Sequence, residues 1–267
     1  MWKEGAAMNL LLDETIAASY RSRSQKARVM TEDWVARNLY CVRCGHSMLV
    51  QFPNNQPVAD FYCPQCQGQF ELKSHAGRYG RIITDGAYDT MMARLSSQTN
   101  PDLLVMEYRA DAHQIENLWM VPKYFFMPDI IEKRRPLAAT AQRAAWTGCN
   151  IVWESIPRLG KIALVKACTP IPARFPQKQF AQTATLERKS LDARGWLMDM
   201  LRCIETIPSE HFTLADVYEF ADHLQTKHPE NHHIKDKIRQ QLQFLLDEGF
   251  LAFEGRGQYR KQTFWIN

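Results

Sequence analysis

Pro57-Val-Ala-Asp-Phe-Tyr-Cys-Pro-Gln-Cys-Gln-Gly-Gln-Phe-Glu-Leu-Lys-Ser74 is the stretch whose reading decides the fold, because two patterns overlap in it. Asp60, Glu71 and Lys73 form Asp-x10-Glu-x-Lys, the spacing of a metal-dependent nuclease core, and Cys63 and Cys66 fall inside that spacing. Residues 69–74 read as a strand. Glu71 and Lys73 are two positions apart, so both side chains leave the same face of the pleat. A turn through Gly68 can set Asp60 beside them. Phosphodiester hydrolysis needs such a set. Two carboxylates can hold Mg2+, which neutralises the scissile phosphate and lowers the pKa of an attacking water, while the lysine stabilises developing negative charge. Triplets of this kind also arise on solvated strand faces, so spacing alone leaves both readings open.

Cys63 and Cys66 have counterparts upstream in Cys41-Val-Arg-Cys44-Gly45, which makes a Cys-x2-Cys-x18-Cys-x2-Cys series. Four thiolates at this spacing suit a tetrahedral Zn2+ with no open position, hence a structural ion. A redox pair is disfavoured because the pairs are matched and no βαβ pattern surrounds them. The remaining three of seven cysteines, Cys149, Cys168 and Cys203, stand singly. An odd count without a secretion signal argues against a disulfide framework.

Working outward, 267 residues leave room for two domains, and 45% hydrophobic with 23% charged residues is ordinary soluble composition. No apolar run reaches the roughly 18 residues of a membrane span, and the first residues lack a signal-peptide pattern, so a cytoplasmic protein is expected. A net charge of +4 permits a polyanionic partner without demanding one. Upstream, residues 24–39 read as a helix capped by Ser24, with Ala27, Met30, Trp34 and Val35 as its buried stripe. Glu32 lies beside that stripe, either as a solvated helix residue, the default, or as a carboxylate carried toward the metal. Residues 48–52 and 58–62 read as strands, 85–95 as a helix, and 103–108, 115–121 and 161–167 as further strands, an α/β layering. Residues 130–145 gather Lys133, Arg134, Arg135 and Arg143 on what reads as a solvated helix face or a phosphate-contact surface, followed by Trp146. Trp146 could stack on a base, but the pattern favours the core. Residues 169–189, rich in Pro, Gln and Thr, read as a linker. The domains expected are therefore 1–185 and 186–267.

The texture then changes. Residues 194–206 form an amphipathic helix, Thr213 with Asp216 caps a second, and a third starts at Asn231 or His232 and stops at Gly249. Residues 250–254 and 258–261, joined by Gly255-Arg256-Gly257, make a hairpin. Three helices followed by a hairpin are a winged helix. From residue 192 to 230 there are eight acidic residues against three basic ones, and from 231 to 267 six basic against four acidic. The positive charge thus falls on the third helix (Lys235, Lys237, Arg239) and the wing (Arg256, Arg260, Lys261), the elements such a domain lays on DNA. Asn231, His232, His233, Gln240 and Gln241 could read base edges. Protein contact is the alternative use of the domain.

With these residues in place, the chain resembles the DpnI-like, methyl-directed type IIM restriction endonucleases. The likeness rests on Ser24-Gln-Lys-Ala-Arg28, Thr31-Glu-Asp-Trp-Val35, Pro57-Val-Ala-Asp-Phe-Tyr-Cys63, Phe70-Glu-Leu-Lys-Ser74, Asp85-Gly-Ala-Tyr88 and Trp146-x-Gly-Cys-Asn-Ile151. It continues through Arg194-Gly-Trp196, His233-Ile-Lys235, Lys237-Ile-Arg-Gln-Gln-Leu-Gln243 and Gly255-Arg-Gly-x-Tyr-Arg-Lys261. The resemblance implies a PD-(D/E)XK core containing a zinc site, a DNA-reading winged helix, and cleavage of double-stranded DNA at GATC carrying N6-methyladenine in a bacterial cytoplasm. Carried onto this sequence, Asp60 and Glu71 would bind Mg2+, Lys73 would assist the nucleophile, and Cys41, Cys44, Cys63 and Cys66 would hold zinc. Trp146 would pack on the methyl groups. The motif's proline is here Pro57, two residues earlier than a strict Pro-Asp pair. A monomer without an obligatory protein partner is expected. The competing readings are a zinc-containing winged-helix regulator without catalysis and a nuclease of the same core with another DNA specificity.

Overall fold

The computed structural model describes residues 8–53, 59–97 and 99–262, so Pro57 and Val58 lie outside the described residues. The first helix, α1, spans Arg23–Asn38 and buries Met30, Trp34 and Val35 together with Thr31 and Glu32. It starts behind Ser22, so Ser24 is inside the first turn rather than at the cap, and no side chain caps it. The Trp34 indole donates to the Asn9 carbonyl at 2.7 Å and pins the preceding segment to the helix.

After a turn at the first cysteine pair come β1 (Val50–Gln51), β2 (Phe61–Tyr62) and β3 (Gln69–Ala76). Phe61 faces Phe70 across β2 and β3, and both rings are buried. Each contributes about 1.5–3 kcal/mol on burial, and a slip of one residue would turn both outward. The aromatic pair therefore fixes the register that sends Asp60, Glu71 and Lys73 to the opposite face.

The chain then forms β4 (Ile82–Ala87) and α2 (Tyr88–Ser97). The sequence reading began a helix at Asp85; instead Asp85 is a strand residue, and the helix starts three residues later. Pairing with β8 (Gly148–Val152), broken by a register shift between Asp85 and Ala87, wins over the helical periodicity there. β5 (Asp102–Arg109) and β6 (Gln114–Val121) occupy the expected positions. β7 (Ile131–Lys133), β9 (Ile162–Lys166) and β10 (Thr169–Pro170) complete the strands of this half. The large sheet runs β1-β2-β3-β5-β6-β9-β10, with β3 and β5 parallel and the other neighbours antiparallel. β5 is buried along all but its last residue, as a central strand with an apolar run should be. A small sheet, β4-β8-β7, stands beside it. This mixed core is the nuclease architecture that the sequence implied.

Two expectations fail here. Residues 130–145 hold a short strand and hydrogen-bonded turns, not a helix. The expected linker at 169–189 is ordered: β10 leads to α3 (Arg174–Thr183) and a 3-10 segment at Ala184–Arg188. Pro176 sits in the first turn of α3, where its missing N–H costs nothing. Phe180 and Leu186 are buried, and Tyr124 shares a 2.7 Å hydrogen bond with Thr183. Polar composition hid an amphipathic element.

The C-terminal part follows the winged-helix order. α4 (Leu191–Thr206) is capped by Ser190 accepting from the Ala193 amide. β11 (His211–Thr213) leads into α5 (Leu214–Tyr218), closed by the expected Thr213–Asp216 capping box, and α6 (Ala221–Lys227). α7 spans Ile234–Asp247, beginning after His233 rather than at Asn231 or His232, and β12 (Leu251–Gly255) and β13 (Gln258–Lys261) form the wing. Their sheet is ordered β11-β13-β12. Arg202 of α4 ties this part to the core, donating to the Ser155 carbonyl at 2.8 Å and pairing with Asp129 at 2.6 Å. No helix among the described residues is long and apolar enough to cross a membrane.

Candidate active site and cysteine cluster

The loop after α1 supplies Cys41 and Cys44, and the turn between β2 and β3 supplies Cys63 and Cys66. Both are tight: the Gly45 amide donates to the Cys41 carbonyl at 2.8 Å and the Gln67 amide to the Cys63 carbonyl at 2.9 Å. Gly45 has φ +81°, the left-handed region that such a turn requires. The four sulfurs lie within 4.8 Å of one another, with Cys41–Cys66 and Cys44–Cys63 at 3.6 Å. A tetrahedral ion with Zn–S bonds of about 2.3 Å holds its sulfurs roughly 3.8 Å apart, so the cluster is compatible with structural zinc. Backbone amides point at the sulfurs. Burial raises the Cys63 thiol, but the amides of Cys66 and Gln65 outweigh it and hold the group below its ordinary pKa.

This clamp sits at the closed end of the hairpin, and the acidic cleft lies at its open end. The Asp60 amide donates to the Phe70 carbonyl at 2.9 Å, and the Leu72 amide donates to the Asp60 carboxylate at 2.7 Å. Asp60 is thus held on β3's backbone between Glu71 and Lys73. The three residues singled out by spacing do converge. A fourth joins them, and sequence reasoning missed it: Lys73 Nζ lies 2.6 Å from Glu71 and 2.6 Å from Asp85, whose side chain is only 5% exposed. The signal for Asp85 was Asp85-Gly86. Glycine is a poor helix residue and a common bulge residue, which placed Asp85 in a strand.

These residues help line a cleft of ≈ 190 Å³. Burial raises the Glu71 pKa, and the charges of Asp85 and Asp60 add to it against the attraction of Lys73. Burial alone would lower the Lys73 pKa, but Glu71 and Asp85 outweigh it and hold the ammonium charged. Glu32 is not the solvated residue that its helix position suggested. It is 8% exposed and accepts from Arg28 at 2.6 Å and Gln51 at 2.8 Å. Burial raises its pKa, with the Asp60 charge adding a smaller push. Hard carboxylate oxygens clustered in one cleft are the donor set that Mg2+ takes. Their donor chemistry suits a divalent cation, with Asp85 lining the same cleft as Asp60 and Glu71.

Trp146 is half-buried, not a core residue. Its ring lies over Gly148, where an added Cβ would stand 2.8 Å from it. The Leu137 amide donates to the Trp146 carbonyl at 2.9 Å, and Ala87 is paired with Gly148. The tryptophan therefore stands two residues before β8, the strand that pairs with the one carrying Asp85.

The expected DNA-facing set of the winged helix divides. Lys235, Arg239 and Gln240 of α7 and Arg256 of the wing are exposed, as are His232 and His233 before the helix. Lys235 lies over the Tyr218 ring at 5.2 Å, and Arg239 donates to the Tyr218 hydroxyl at 2.6 Å and pairs with Asp236. Lys237 is half-buried, 5.7 Å from the Trp196 ring. The Asn231 side chain accepts from the His233 amide at 2.8 Å. Arg260 is paired with Glu254 at 2.9 Å and Glu210 at 3.7 Å. Lys261 is a correction: it is 6% exposed and its ammonium donates to the Ile207 carbonyl, so it belongs to the packing of the wing and not to its outer surface. Gln241, 7% exposed, is likewise turned into the domain.

Two family profiles match the chain. Residues 8–189 match DpnI, described as the Dam-replacing family, and residues 192–261 match DpnI_C, described as the Dam-replacing HTH domain. The first covers the cysteine cluster and the cleft; the second covers the winged helix.

Proposed function

The chain belongs to the DpnI Dam-replacing family, and on that premise we propose that it is a Mg2+-dependent endonuclease cutting double-stranded DNA at GATC that carries N6-methyladenine. The observation that carries the reading is the convergence of Asp60, Glu71, Lys73 and Asp85 in one cleft. Asp60 and Glu71 would hold Mg2+, which when bound neutralises the scissile phosphate and makes a water more acidic. Lys73 presents a charged ammonium in the same cleft, where it can orient the nucleophile and offset charge that builds on the phosphoryl oxygens. Asp85 holds that ammonium in place.

Cys41, Cys44, Cys63 and Cys66 would carry a structural zinc that fixes the turn between Asp60 and Glu71. The half-exposed Trp146 offers an apolar face to the adenine methyl in the major groove, which favours the methylated base. Lys235, Arg239, Gln240 and Arg256, with His232 and His233, form the surface of the winged helix that would meet DNA. We read the nuclease domain as 1–185 and the winged helix as 186–267, in a monomer of the bacterial cytoplasm. A regulator without catalysis has no use for two carboxylates closed on a half-buried ammonium with a third lining the same cleft, since burying such charges is unfavourable unless geometry repays it.

The test is cleavage of plasmid DNA, prepared from Dam-positive and Dam-negative hosts, in the presence of Mg2+. Cutting of the methylated plasmid alone, lost in Asp60→Ala, is expected. Cutting of neither sinks the enzyme reading, and equal cutting of both sinks methyl specificity.

A further inference from the structure

The cleft's own charges leave a gap. Asp60, Glu71 and Asp85 contribute three carboxylates to its wall. The cation beside them, Lys73, is engaged by two of these at 2.6 Å each. A phosphodiester entering this cleft meets more carboxylates than cations among Asp60, Glu71, Lys73 and Asp85.

The cleft is also lined by α2. Met91 and Leu95 are buried and fix the helix against the core. Thr90 and Arg94, spaced i and i+4, share one stripe of α2, and both line the cleft. Arg94 is half-buried, and among the described residues its guanidinium has no ion pair and no hydrogen bond. Arg28, Arg37, Arg43, Arg81, Arg202 and Arg239 have carboxylate partners; what sets Arg94 apart from the other arginines outside ion pairs is that it lines the cleft that holds Asp60, Glu71 and Lys73. A planar donor fork left unpaired beside an acidic cleft matches the oxygens of a phosphate, which it can take bidentately.

We propose that Arg94 is a DNA-backbone clamp, a residue that grips a phosphate of the cut strand in the cleft it shares with Asp60, Glu71 and Lys73, with the Thr90 hydroxyl as a second donor. This rests on the endonuclease reading above and adds the contact that positions the strand. The contact is to the backbone, so it carries no base preference of its own.

Arg94→Ala and Arg94→Lys in the full-length protein test it. Binding to a methylated and an unmethylated duplex is measured without Mg2+ over a salt series, and single-turnover cutting is measured with Mg2+. Each lost phosphate contact removes about 0.9 from the slope of log affinity against log salt. Arg94→Ala is expected to lose about that slope on both duplexes. It should weaken binding roughly tenfold and raise the half-saturating DNA concentration more than it lowers the cutting rate. Arg94→Lys should restore the slope, and thermal unfolding should stay unchanged because no partner is lost. An unchanged salt slope in Arg94→Ala overturns the proposal, as does a loss confined to the methylated duplex or explained by a lower unfolding temperature. Failure of the wild-type protein to cut either duplex instead overturns the endonuclease reading, while the salt slopes still report on Arg94.

Discussion

In the cleft, Lys73 touches both Glu71 and Asp85, with side chains 21%, 19% and 5% exposed; on the winged helix, Arg239 and its partner Asp236 are 53% and 64% exposed. Both regions gather lysine or arginine near acids, and the outcome is opposite. In the cleft, low exposure lets each charge act strongly on its neighbours, and strand backbone, β3 for Glu71 and Lys73 and β4 for Asp85, holds every group in one place. On the winged helix, water and salt screen the same pairings to little or nothing in stability, and the side chains stay free to exchange an acidic neighbour for a phosphate. The cleft is built for geometry and the winged helix for a field. Substitutions should therefore have large, salt-insensitive effects in the first region and small, salt-dependent ones in the second.

The largest effect should come from the fastener of the hairpin. Structural zinc contributes on the order of 10–16 kcal/mol of apparent binding free energy that is coupled to folding. A Cys63→Ser, Cys66→Ser protein should lose its metal, unfold at much lower temperature and cut nothing. Elemental analysis, calorimetry and plasmid cleavage read the three consequences. A metal-free protein that stays folded and cuts would break the link between the clamp and the cleft.

Asp85→Asn comes next. The amide keeps the size of the side chain but removes the charge that holds Lys73. Loss of an outer partner of this kind lowers activity by about 10–100-fold, here in the cutting rate. DNA affinity should be unchanged, and 0.3 M salt should not alter the ratio of mutant to wild type. A rate equal to wild type would mean that Glu71 alone positions Lys73.

Legibility in the sequence follows the same division. The hairpin was readable because Phe61 and Phe70 must be inside, which dictates where Asp60, Glu71 and Lys73 point. The cysteine pairs were readable because a metal's geometry imposes spacing. Asp85 was not, because its place depends on β4 pairing with the distant β8, and Met91 and Leu95 nearby give a helical period that swallows it. α3 and the 3-10 segment after it were missed for a related reason: Phe180 and Leu186 are their apolar anchors among prolines and polar residues that mimic a linker. On the wing, counting positive charges could not distinguish Arg256, which is exposed, from Lys261, which is buried. Alternation along β13 carried that information, since Tyr259 and Lys261 share the inward face.

Lys261 gives the third prediction, and it cuts across the division because it is a winged-helix cation used as the core uses its polar groups. In Lys261→Met the Ile207 carbonyl loses its donor, which should cost about 1–3 kcal/mol of stability with no change in the salt slope of DNA binding. Burial holds the Lys261 pKa below its ordinary value of 10.5, with Glu205 opposing. Between that depressed value and 10.5 the unfolded chain binds more protons than the folded one, so this residue's share of stability rises with pH through that window. Denaturant unfolding across alkaline pH should show the rise in the wild type and its absence in the mutant. A salt slope lowered in Lys261→Met would return the residue to the DNA-facing set.

The smallest effects should fall on the exposed cations. Arg256 stands at the tip of the wing with no ion pair among the described residues, and Lys235 has only the face of Tyr218. Arg256→Ala or Lys235→Ala should each weaken DNA binding a few-fold and remove about 0.9 from the salt slope, equally for methylated and unmethylated duplexes. Arg260→Ala is the internal comparison. Its guanidinium already faces Glu254 and Glu210, so meeting a phosphate would mean giving up two carboxylates, and removing it should leave the slope nearly unchanged. Filter binding over a salt series reads all three. If Arg260→Ala lowers the slope as much as Arg256→Ala does, the ion pairs on the wing open on DNA and its charge is one shared reservoir. If it does not, acidic neighbours have divided the wing's cations into those that hold the hairpin together and those that remain free to find the backbone.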